Sequence, residues 1–418
     1  MKKKTETTYD NILNKLPTSF YNEIAAGTEE KKTHEEINKE IDNIRKDNKL
    51  TTTEEVFVKE LARKDTKGTS VLEKINDGLK DNEIPKTEND QKKVNELDKL
   101  LESIPKYNQE NIIYTGLHPA HLPLKNGTIT YEPGYTTGSL SNNGIRGNIL
   151  ELRIPPGSEE SILALNDTEV VLRRNIDFKV TGHSSHFEGT ILVRTVHADL
   201  IPRTPLEKAF DEQGMNWVSK LTFDETRAVN LYTKDSTFIN RDLRNDNAKN
   251  SSNKDAIDEI DKALNKGSVK EGVKLYRNVT ELEFKEQNGF LKDSLNLDFT
   301  GVETIKDDAT FILKARELVE KVKGKENYPK AYTSTSIEKG NIFHDRSIRI
   351  VFTITKSIKG AYVKAISQYP DEKEVLLPRA EKNLVSPNKG IKYVVEGASA
   401  NQENGKNILE IHANVYPA

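Results

Sequence analysis

The chain carries one hydrophobic pattern twice, and this repeat limits the folds open to it. The alternating run Leu-Glu-Leu-Arg-Ile at 150–154 returns 200 residues later as Ile-Val-Phe-Thr-Ile at 350–354, with the period of two that is typical of a half-buried strand. A similar short run follows each strand, Thr168–Arg173 in the first half and Lys373–Pro378 in the second. The sequence therefore predicts two copies of one fold, the alternative being two unrelated β domains that share accidental similarities.

Helical and extended sequence alternate in the same order in both halves. Charged stretches at Glu29–Lys49 and Lys92–Ile104 carry apolar residues three and four positions apart, which predicts surface helices. Asn108–Pro202 is rich in glycine and β-branched residues that alternate with polar ones, which predicts short strands. Leu206–Asp261 is again helical, and from Val273 the sequence predicts strands with one helix near Asp308–Val322.

We therefore expect an α+β protein of two similar mixed α/β domains. Each would consist of a helical front followed by a β-sandwich-like core. The prolines at 202 and 205 mark the boundary between them, so the expected domains are residues 1–205 and 206–418.

Composition excludes several classes of protein. A length of 418 residues predicts two or three domains, and the net charge of −3 gives no excess of positive charge for binding nucleic acid. The chain has no cysteine, which excludes disulfide and thiolate chemistry. No apolar run is long enough to predict a membrane span. The basic start Met1–Lys4 lacks a following apolar core, as in a cytosolic protein or an exported protein without its signal.

The sequence Glu372-Lys373-Glu374, directly before the apolar run Val375–Leu377, is the strongest candidate for a chemical site. Carboxylates at alternate positions of a strand point to the same side. Their mutual repulsion destabilises the fold, so such a pair indicates a site that uses the negative charge. One purpose is to stabilise positive charge that develops at a sugar C1 in a transition state. The alternative is a solvated strand edge whose charges prevent aggregation.

Three further motifs precede the two glutamates in a fixed order. They are an aromatic-arginine pair at Tyr276-Arg277, a polar strand at Tyr332–Ser336, and Phe343-His344-Asp345-Arg346. In this order they resemble the ADP-ribosyltransferase toxins of the Arg-Ser-Glu class, and in particular the enzymatic components of iota-like and vegetative insecticidal binary toxins. The resemblance covers the second half of the chain strongly and the first half weakly.

The resemblance implies that NAD is the substrate that donates ADP-ribose, and that no metal takes part. It implies that Glu374 supplies the negative charge near the ribose, that Ser334 orients Glu374, and that Arg277 holds the phosphates. Taken singly, a strand arginine or serine is more often structural. The resemblance places Phe343 and Arg346 on a loop that covers the nicotinamide and phosphate. It adds three contacts to NAD, from Tyr232, Asn240 and Glu283.

The first glutamate of the pair bears on the acceptor. Members of the family that modify asparagine carry glutamine at this position, so Glu372 implies transfer to an arginine. Tyr369 matches an aromatic residue that contacts actin in the actin-modifying members, which favours actin of the host as the acceptor protein. The alternatives are another host protein, such as a small GTPase, and a binding subunit without activity.

The first copy of the repeat differs at the positions that matter for chemistry. Thr115 stands in place of Arg277, Tyr135–Ser139 replaces the serine strand, and Asp167 and Glu169 replace the two glutamates after a shorter loop. We interpret this half as a duplicated domain without catalytic residues. In the family that the chain resembles, such a domain docks on the pore-forming translocation component of a secreted toxin, which delivers the enzyme to the host cytosol as a virulence factor.

A second polar cluster lies near the end of the first half. His183, His186 and Glu188, with His197 nearby, could ligate a metal. They are flanked by Gly182 and Gly189, which favours a simple hairpin instead.

Overall fold

The computed structural model describes residues 33–80, 85, 87–107, 109–117, 124–142, 147–188, 190–246, 252–279, 289–302, 304–340, 346–383, 386–403 and 405–418. Within these ranges no helix is both long and apolar enough to cross a membrane. Two compact units are present. The first combines the described residues before 81 with Leu97–Arg203, and the second combines those of 81–96 with Thr204–Ala418.

From residue 33 onward, the described part of the chain before the first strand forms four helices: α1 (His34–Asn48), α2 (Thr52–Ala62), α3 (Val71–Lys80) and α4 (Glu88–Ser103). The predicted helices near 29–49 and 92–104 are α1 and α4. Thr33 and Thr51 begin α1 and α2 with capping boxes, in which the threonine and a glutamate three residues later satisfy each other's backbone N–H groups.

Short strands follow, as the alternating sequence predicts, and the described residues of the first unit contain eight of them: β1 (Asn111–Gly116), β2 (Ile129–Glu132), β3 (Thr136–Gly138), β4 (Asn148–Ile154), β5 (Leu163–Ala164), β6 (Val170–Leu172), β7 (Ile176–Glu188) and β8 (Ile191–Leu200). Five of them form a sheet in the order β1-β4-β8-β7-β2, and three form a sheet in the order β3-β6-β5. A single bridge between Tyr114 and Ser139 joins β1 to the end of β3.

The second unit begins with the same succession of helices: α5 (Pro205–Val218), α6 (Phe223–Lys234), α7 (Thr237–Asp246) and α8 (Lys254–Asn265). Thr204 and Thr222 cap α5 and α6 with the same capping boxes as in the first unit. Two more helices follow, the predicted α10 (Asp308–Val322) and a short α9 (Phe290–Leu295) that the sequence did not predict.

The strands of the second unit are β9 (Lys274–Val279), β10 (Glu326–Asn327), β11 (Thr333–Ser336), β12 (Ile348–Ile354), β13 (Ala361–Tyr362), β14 (Glu374–Leu377), β15 (Glu381–Asn383), β16 (Ser386–Lys389), β17 (Ile391–Glu403) and β18 (Lys406–Pro417). Eight of them form one sheet, in the order β10-β17-β18-β12-β9-β11-β14-β13. This order repeats that of the first unit, strand for strand. Where the first unit has only a bridge between β1 and the end of β3, the second unit has β9 and β11 paired within one sheet. The α+β class and the two similar units are therefore confirmed.

Strand register shows which residues correspond between the two units. Tyr114 pairs with Glu151 on β4, just as Tyr276 pairs with Val351 on β12. One position further on, Thr115 pairs with Leu150 and Arg277 pairs with Ile350. Thr115 therefore occupies the place of Arg277, as the sequence repeat predicts.

The same comparison places the acidic residues of the two units. Gly138 pairs with Val170 in the first unit, and Thr335 pairs with Val375 in the second. Glu169 directly precedes Val170, so it corresponds to Glu374, and Thr137 corresponds to Ser334. The predicted duplication holds at the level of individual hydrogen-bonded pairs.

A buried triad of polar side chains recurs in both units. In the second unit, Tyr332 donates to Asp261 of α8, which also accepts from Arg379. The first unit has the same arrangement, with Tyr135 and Arg174 as donors and Asp98 of α4 as acceptor. Each triad ties a helix to the start of one strand and the end of another, so it fixes the helical layer on the sheet.

Candidate active site

Three adjacent strands of the second unit bring the sequence motifs together. Ser336 at the end of β11 faces Glu374 of β14 on one side and Tyr276 of β9 on the other. Arg277 follows Tyr276, and Ser334 lies on the same face of β11 as Ser336. Residues from three distant parts of the sequence therefore meet where these strands adjoin.

A cleft opens at this point, with about 480 Å³ of space that is continuous with the solvent. Its walls carry charged and hydroxyl side chains of β9, β11 and β14 and of the segments beside them: Tyr276, Arg277, Asn278, Ser334, Thr335, Ser336, Glu338, Arg346, Glu372 and Glu374. Five predicted site residues, Arg277, Ser334, Arg346, Glu372 and Glu374, thus share one cleft.

Glu374 is the buried acid of the cleft, with 4% of its surface exposed. Burial raises the pKa of its carboxyl group, while a hydrogen bond with the Ser334 side chain and the positive charge of Arg277 act in the opposite direction. Ser334 and Arg277 therefore favour the ionised form of a carboxylate that burial alone would tend to protonate.

Two buried side chains of the helical layer stand behind Ser334. The Tyr232 hydroxyl hydrogen bonds with the Ser334 side chain and accepts a bond of 2.9 Å from Nδ2 of Asn240. Burial and the nearby charge of Glu374 raise the pKa of Tyr232. Neither Tyr232 nor Asn240 belongs to the walls of the cleft, so in this structure both support Ser334.

The Arg277 guanidinium is held on two sides. Its Nη1 donates a hydrogen bond of 2.9 Å to the Ser334 carbonyl oxygen, and its Cζ lies 4.2 Å from the ring centroid of Phe290. A cation over an aromatic face is attracted to it. The planar group is thus oriented at the cleft, in the geometry that suits bidentate contacts with oxyanions.

Glu372 reaches the cleft by a different route from the one expected. The expectation of an extended strand from 372 to 374 is wrong, because Pro370–Glu372 forms a 3-10 turn and Lys373 adopts a left-handed conformation with φ of 48°. Strand β14 begins at Glu374, so Glu372 does not belong to it. Both carboxylates nevertheless line the same cleft.

The pKa of Glu372 is raised to about 7. Burial is the main cause, followed by the negative charges of Glu374 and Asp371, and the positive charges of Arg277 and Arg346 oppose them. A carboxyl group with this pKa exchanges a proton readily near neutral pH, which is the property of a general base.

Arg346 and Asn278 also line the cleft and contact each other. Nη1 of Arg346 donates 2.7 Å to the carbonyl oxygen of Asn278. The Asn278 side chain accepts from Arg349, which is itself buried and paired with Glu403 and Glu410. This network fixes the strand that carries Arg277.

Tyr369 lies outside the cleft walls but close to Glu372 in sequence. It is 47% exposed, and its carbonyl oxygen accepts a 3.0 Å bond from the Glu372 backbone N–H.

Phe343 and Glu283 lie outside the described residues. The sequence did not predict Glu338 on the cleft wall or Phe290 beneath Arg277, since neither belongs to a recognisable motif.

The histidines of the first unit form a different arrangement. The predicted hairpin is present as β7 and β8, and His197 lies between Ser184 and Glu151, at 2.8 Å from each. Ser399 and His412 make a similar contact in the second unit, so the Ser-His pair belongs to the repeated sheet. Over the part of the chain that the structure describes, no three potential ligands are grouped to hold a metal.

Comparison with known proteins agrees with this geometry. A model of the ADP-ribosyltransferase exoenzyme family matches residues 207–417, which is half of the chain and includes every predicted site residue. The chain belongs to the ADP-ribosyltransferase exoenzyme family. The resemblance inferred from the order of the motifs is thereby confirmed at the level of the family.

Individual members of the family are distant relatives. The mono-ADP-ribosyltransferase C3 of Hathewaya limosa is 29% identical over 172 residues, covering 40% of this chain and 64% of that protein. The C3 enzyme of Clostridium botulinum C phage is 29% identical over 170 residues, with coverages of 40% and 65%. The chain thus spans just under two thirds of the length of these curated relatives.

Solved structures of several toxin proteins are also similar to this chain. The toxin Plx2a from Paenibacillus larvae covers 50% of the chain and 94% of its own length, at 27% identity and a TM-score of 0.40. The match to BECa, from a binary enterotoxin of C. perfringens, covers 91% of this chain and 97% of BECa, at 18% identity and a TM-score of 0.39. The match to the C2-I component of the Clostridium botulinum C2 toxin covers 92% of this chain and 98% of C2-I. The sequence identity is 18% and the TM-score is 0.37.

Proposed function

We propose that this protein is a mono-ADP-ribosyltransferase toxin subunit that transfers ADP-ribose from NAD to an arginine of a host protein, with actin as the acceptor. The observation that carries the proposal is the shared cleft of Arg277, Ser334, Glu372 and Glu374. These four side chains supply one cation, one hydroxyl group and two carboxylates, and the proposed reaction uses each of them.

The first step breaks the bond between nicotinamide and C1 of the ribose. The bonding electron pair leaves with the nicotinamide nitrogen, and positive charge develops on the ribose. The buried carboxylate of Glu374, held by Ser334, stabilises that charge, because an interaction that forms with charge in the transition state lowers the barrier. The oriented guanidinium of Arg277 binds the pyrophosphate.

The second step joins the acceptor nitrogen to C1 and releases one proton. A guanidinium is protonated at neutral pH and attacks poorly until it loses a proton. Glu372 accepts that proton, and its pKa near 7 supports this role. Tyr369, exposed beside the turn that carries Glu372, contacts the acceptor protein.

We further propose that the first unit, within residues 1–205, docks on the pore-forming component of a secreted binary toxin, and that residues 206–418 form the catalytic domain delivered to the host cytosol. In the first unit each of the two corresponding acids contacts another side chain of the same unit. Asp167 forms a 2.7 Å ion pair with Arg45, and the Glu169 carboxylate accepts from the Asn166 amide. With Thr115 in place of a cation, this region lacks the groups that would hold NAD.

Labelled NAD tests the proposal directly. The purified protein, incubated with a host-cell lysate and NAD labelled on the adenylate, should label a band of actin. Glu374→Gln should abolish both labelling and NAD hydrolysis. Glu372→Gln should abolish labelling but leave slow NAD hydrolysis, because water is then the nucleophile and no guanidinium has to be deprotonated. Glu169→Gln, at the corresponding position of the first unit, is the matched control and should change neither activity.

Three results would contradict the proposal at different levels. Near-normal hydrolysis by Glu374→Gln would remove the catalytic role of that residue. Equal loss of both activities in Glu372→Gln would assign Glu372 to NAD binding. Labelling of a different host protein, such as a small GTPase, would retain the enzyme and replace actin as the acceptor.

A further inference from the structure

We propose that Lys373 is a positioning residue that holds Glu372 in the cleft by anchoring the turn between the two glutamates on both sides. The inference rests on the proposed function, because it concerns how the acceptor-side acid is placed. It begins from the position of Lys373, which separates Glu372 from Glu374 in the sequence but does not line the cleft.

The backbone at Lys373 is unusual. With φ of 48° and ψ of 48° it lies in the left-handed region, which disfavours residues with a Cβ atom and where glycine is the default choice. This conformation separates the 3-10 turn from strand β14, and both flanking carboxylates line one cleft. A lysine at such a position indicates that its side chain contributes something a glycine lacks.

The side chain of Lys373 is mostly buried, with 12% exposed. Its ammonium group forms ion pairs with two carboxylates, those of Glu207 and Glu338. Glu207 belongs to the first turn of α5, and Glu338 belongs to the wall of the cleft. The lysine therefore joins a helix start to the cleft wall.

The Glu207 anchor is fixed independently of Lys373. Its carboxylate accepts a 2.7 Å bond from the Thr204 backbone N–H, and its own N–H donates to the Thr204 hydroxyl. Burial would raise the pKa of Glu207, but Lys373 and Thr204 outweigh it and lower the pKa to about 2. The carboxylate thus stays ionised throughout the physiological range.

Backbone hydrogen bonds complete the support of the turn. The Lys373 N–H donates to the carbonyl oxygen of Pro370, and the Ile337 N–H donates to the carbonyl oxygen of Lys373. These bonds hold the chain where it passes the end of β11. The lysine side chain then prevents the turn from swinging outward, which would carry Glu372 into solvent and away from Glu374.

The consequence for activity is selective. Glu374 is secured by strand pairing in β14 and by its hydrogen bond with Ser334, so it does not depend on the lysine. Glu372 lies in the short 3-10 turn and depends on it. Loss of the anchor should therefore reduce transfer to the acceptor much more than NAD hydrolysis.

The test compares Lys373→Gly and Lys373→Met in the full chain with purified actin as the acceptor. Glycine adopts the left-handed conformation freely but removes both ion pairs, and methionine keeps the apolar stem without the charge. We expect kcat for transfer to fall at least about tenfold in both, with kcat and KM for NAD hydrolysis changed less than about threefold. Glu207→Gln, which removes one anchor, should give an intermediate loss of transfer.

Two outcomes would overturn the inference. Wild-type transfer by Lys373→Gly would show that only the backbone conformation matters. Equal loss of transfer and hydrolysis in both variants, together with a lower melting temperature, would show a general structural role.

A readout without enzymatic activity separates this inference from the proposed function. Glu372 faces Glu374, Asp371, Arg277 and Arg346, and its ionisation there depends on its being held in place. Glu372→Gln should therefore raise the melting temperature at pH 8 in the wild-type background but not in the Lys373→Gly background. An equal rise in both would contradict the inference, whereas absence of NAD hydrolysis and of actin labelling in the wild type would contradict the proposed function alone.

Discussion

The hydroxyl group of Tyr332 lies 2.7 Å from Oδ1 of Asp261, and Tyr135 makes the same bond to Asp98 in the first unit at the same distance. Each aspartate also accepts from an arginine, Arg379 or Arg174. The triad is thus retained in both copies, while the cleft residues differ. The two units therefore share the polar groups that join helix to sheet, although their cleft residues differ.

The two triads should differ in their contribution to stability. The side chains of Asp98 and Arg174 are each 7% exposed, and those of Asp261 and Arg379 are 16% and 14% exposed. Removal of one charge from a buried ion pair commonly costs 3–5 kcal/mol. We expect Asp98→Asn to lower the free energy of unfolding of the first unit by about 3 kcal/mol, and Asp261→Asn to lower that of the second by about 2 kcal/mol.

Urea denaturation of the full chain measures both effects. Asp98→Asn should leave NAD hydrolysis unchanged below its unfolding transition, which serves as the internal control. A loss below about 1 kcal/mol for either variant would show that the triad is not a main support of the helical layer.

The pH dependence of stability should report on Glu372. The pKa of its carboxyl group is about 7 in the folded protein against an ordinary value of 4.5. Between these values the folded state retains a proton that the unfolded state has lost, so this group stabilises the fold below about pH 4.5 and the contribution disappears as the pH rises through about 7.

Glu372→Gln removes that titration. The variant should be more stable than the wild type at pH 8, by about 1–3 kcal/mol, and similar to it at pH 4.5. Thermal unfolding across this range, with Glu169→Gln for comparison, measures the difference. A wild-type stability that does not fall between pH 4.5 and pH 8 relative to Glu372→Gln would contradict the burial of this acid.

Arg277→Lys should weaken the binding of NAD. Lysine keeps the positive charge but cannot bond to the Ser334 carbonyl oxygen and present a planar pair of donors at once. We expect KM for NAD to rise about tenfold, the effect of losing one charge-assisted contact. Arg241→Lys, at an exposed arginine of α7 that lies over Phe238, is the control. An unchanged KM would remove Arg277 from the NAD site.

Division of the chain tests the proposed roles of the two units. A fragment of residues 1–205 should fold alone, bind no NAD, and compete with the full chain for the pore-forming partner. A second, overlapping fragment should start at Thr204, because this residue caps α5, and should keep its enzymatic activity but fail to enter cells. Micromolar binding of NAD by the first fragment, or unaided uptake of the second, would contradict the division.

The sequence predicted those parts of the fold that follow from local pattern. Strand β12 (Ile348–Ile354) contains the predicted alternating run 350–354, and helix α10 (Asp308–Val322) lies where the sequence predicts it, because their apolar residues recur with clear periods. The place of Thr115 was also predicted, because the repeat supplied an internal alignment of the two strands.

The remaining details of the site depend on contacts between distant segments. Phe290 lies under Arg277, and Tyr232 and Asn240 stand behind Ser334, but no local pattern connects these residues. The sequence pattern at Glu372-Lys373-Glu374 predicts a strand, because alternating charges are typical of an extended segment, but residues 370–372 form a 3-10 turn. Lys373, whose left-handed conformation ends the turn, forms an ion pair with Glu207, more than 160 residues earlier.

The order of strands in each sheet has a consequence for synthesis and refolding. In the second unit β18 follows all other strands of its sheet in the sequence, but it lies inside the sheet between β17 and β12, parallel to β12. In the first unit β8 holds the same place. As the chain emerges from a ribosome or a narrow channel, neither sheet can close until its last strand is free, so the first unit can complete its sheet while the second remains open. The sheet that carries the cleft is therefore complete only after residues 406–417 have emerged.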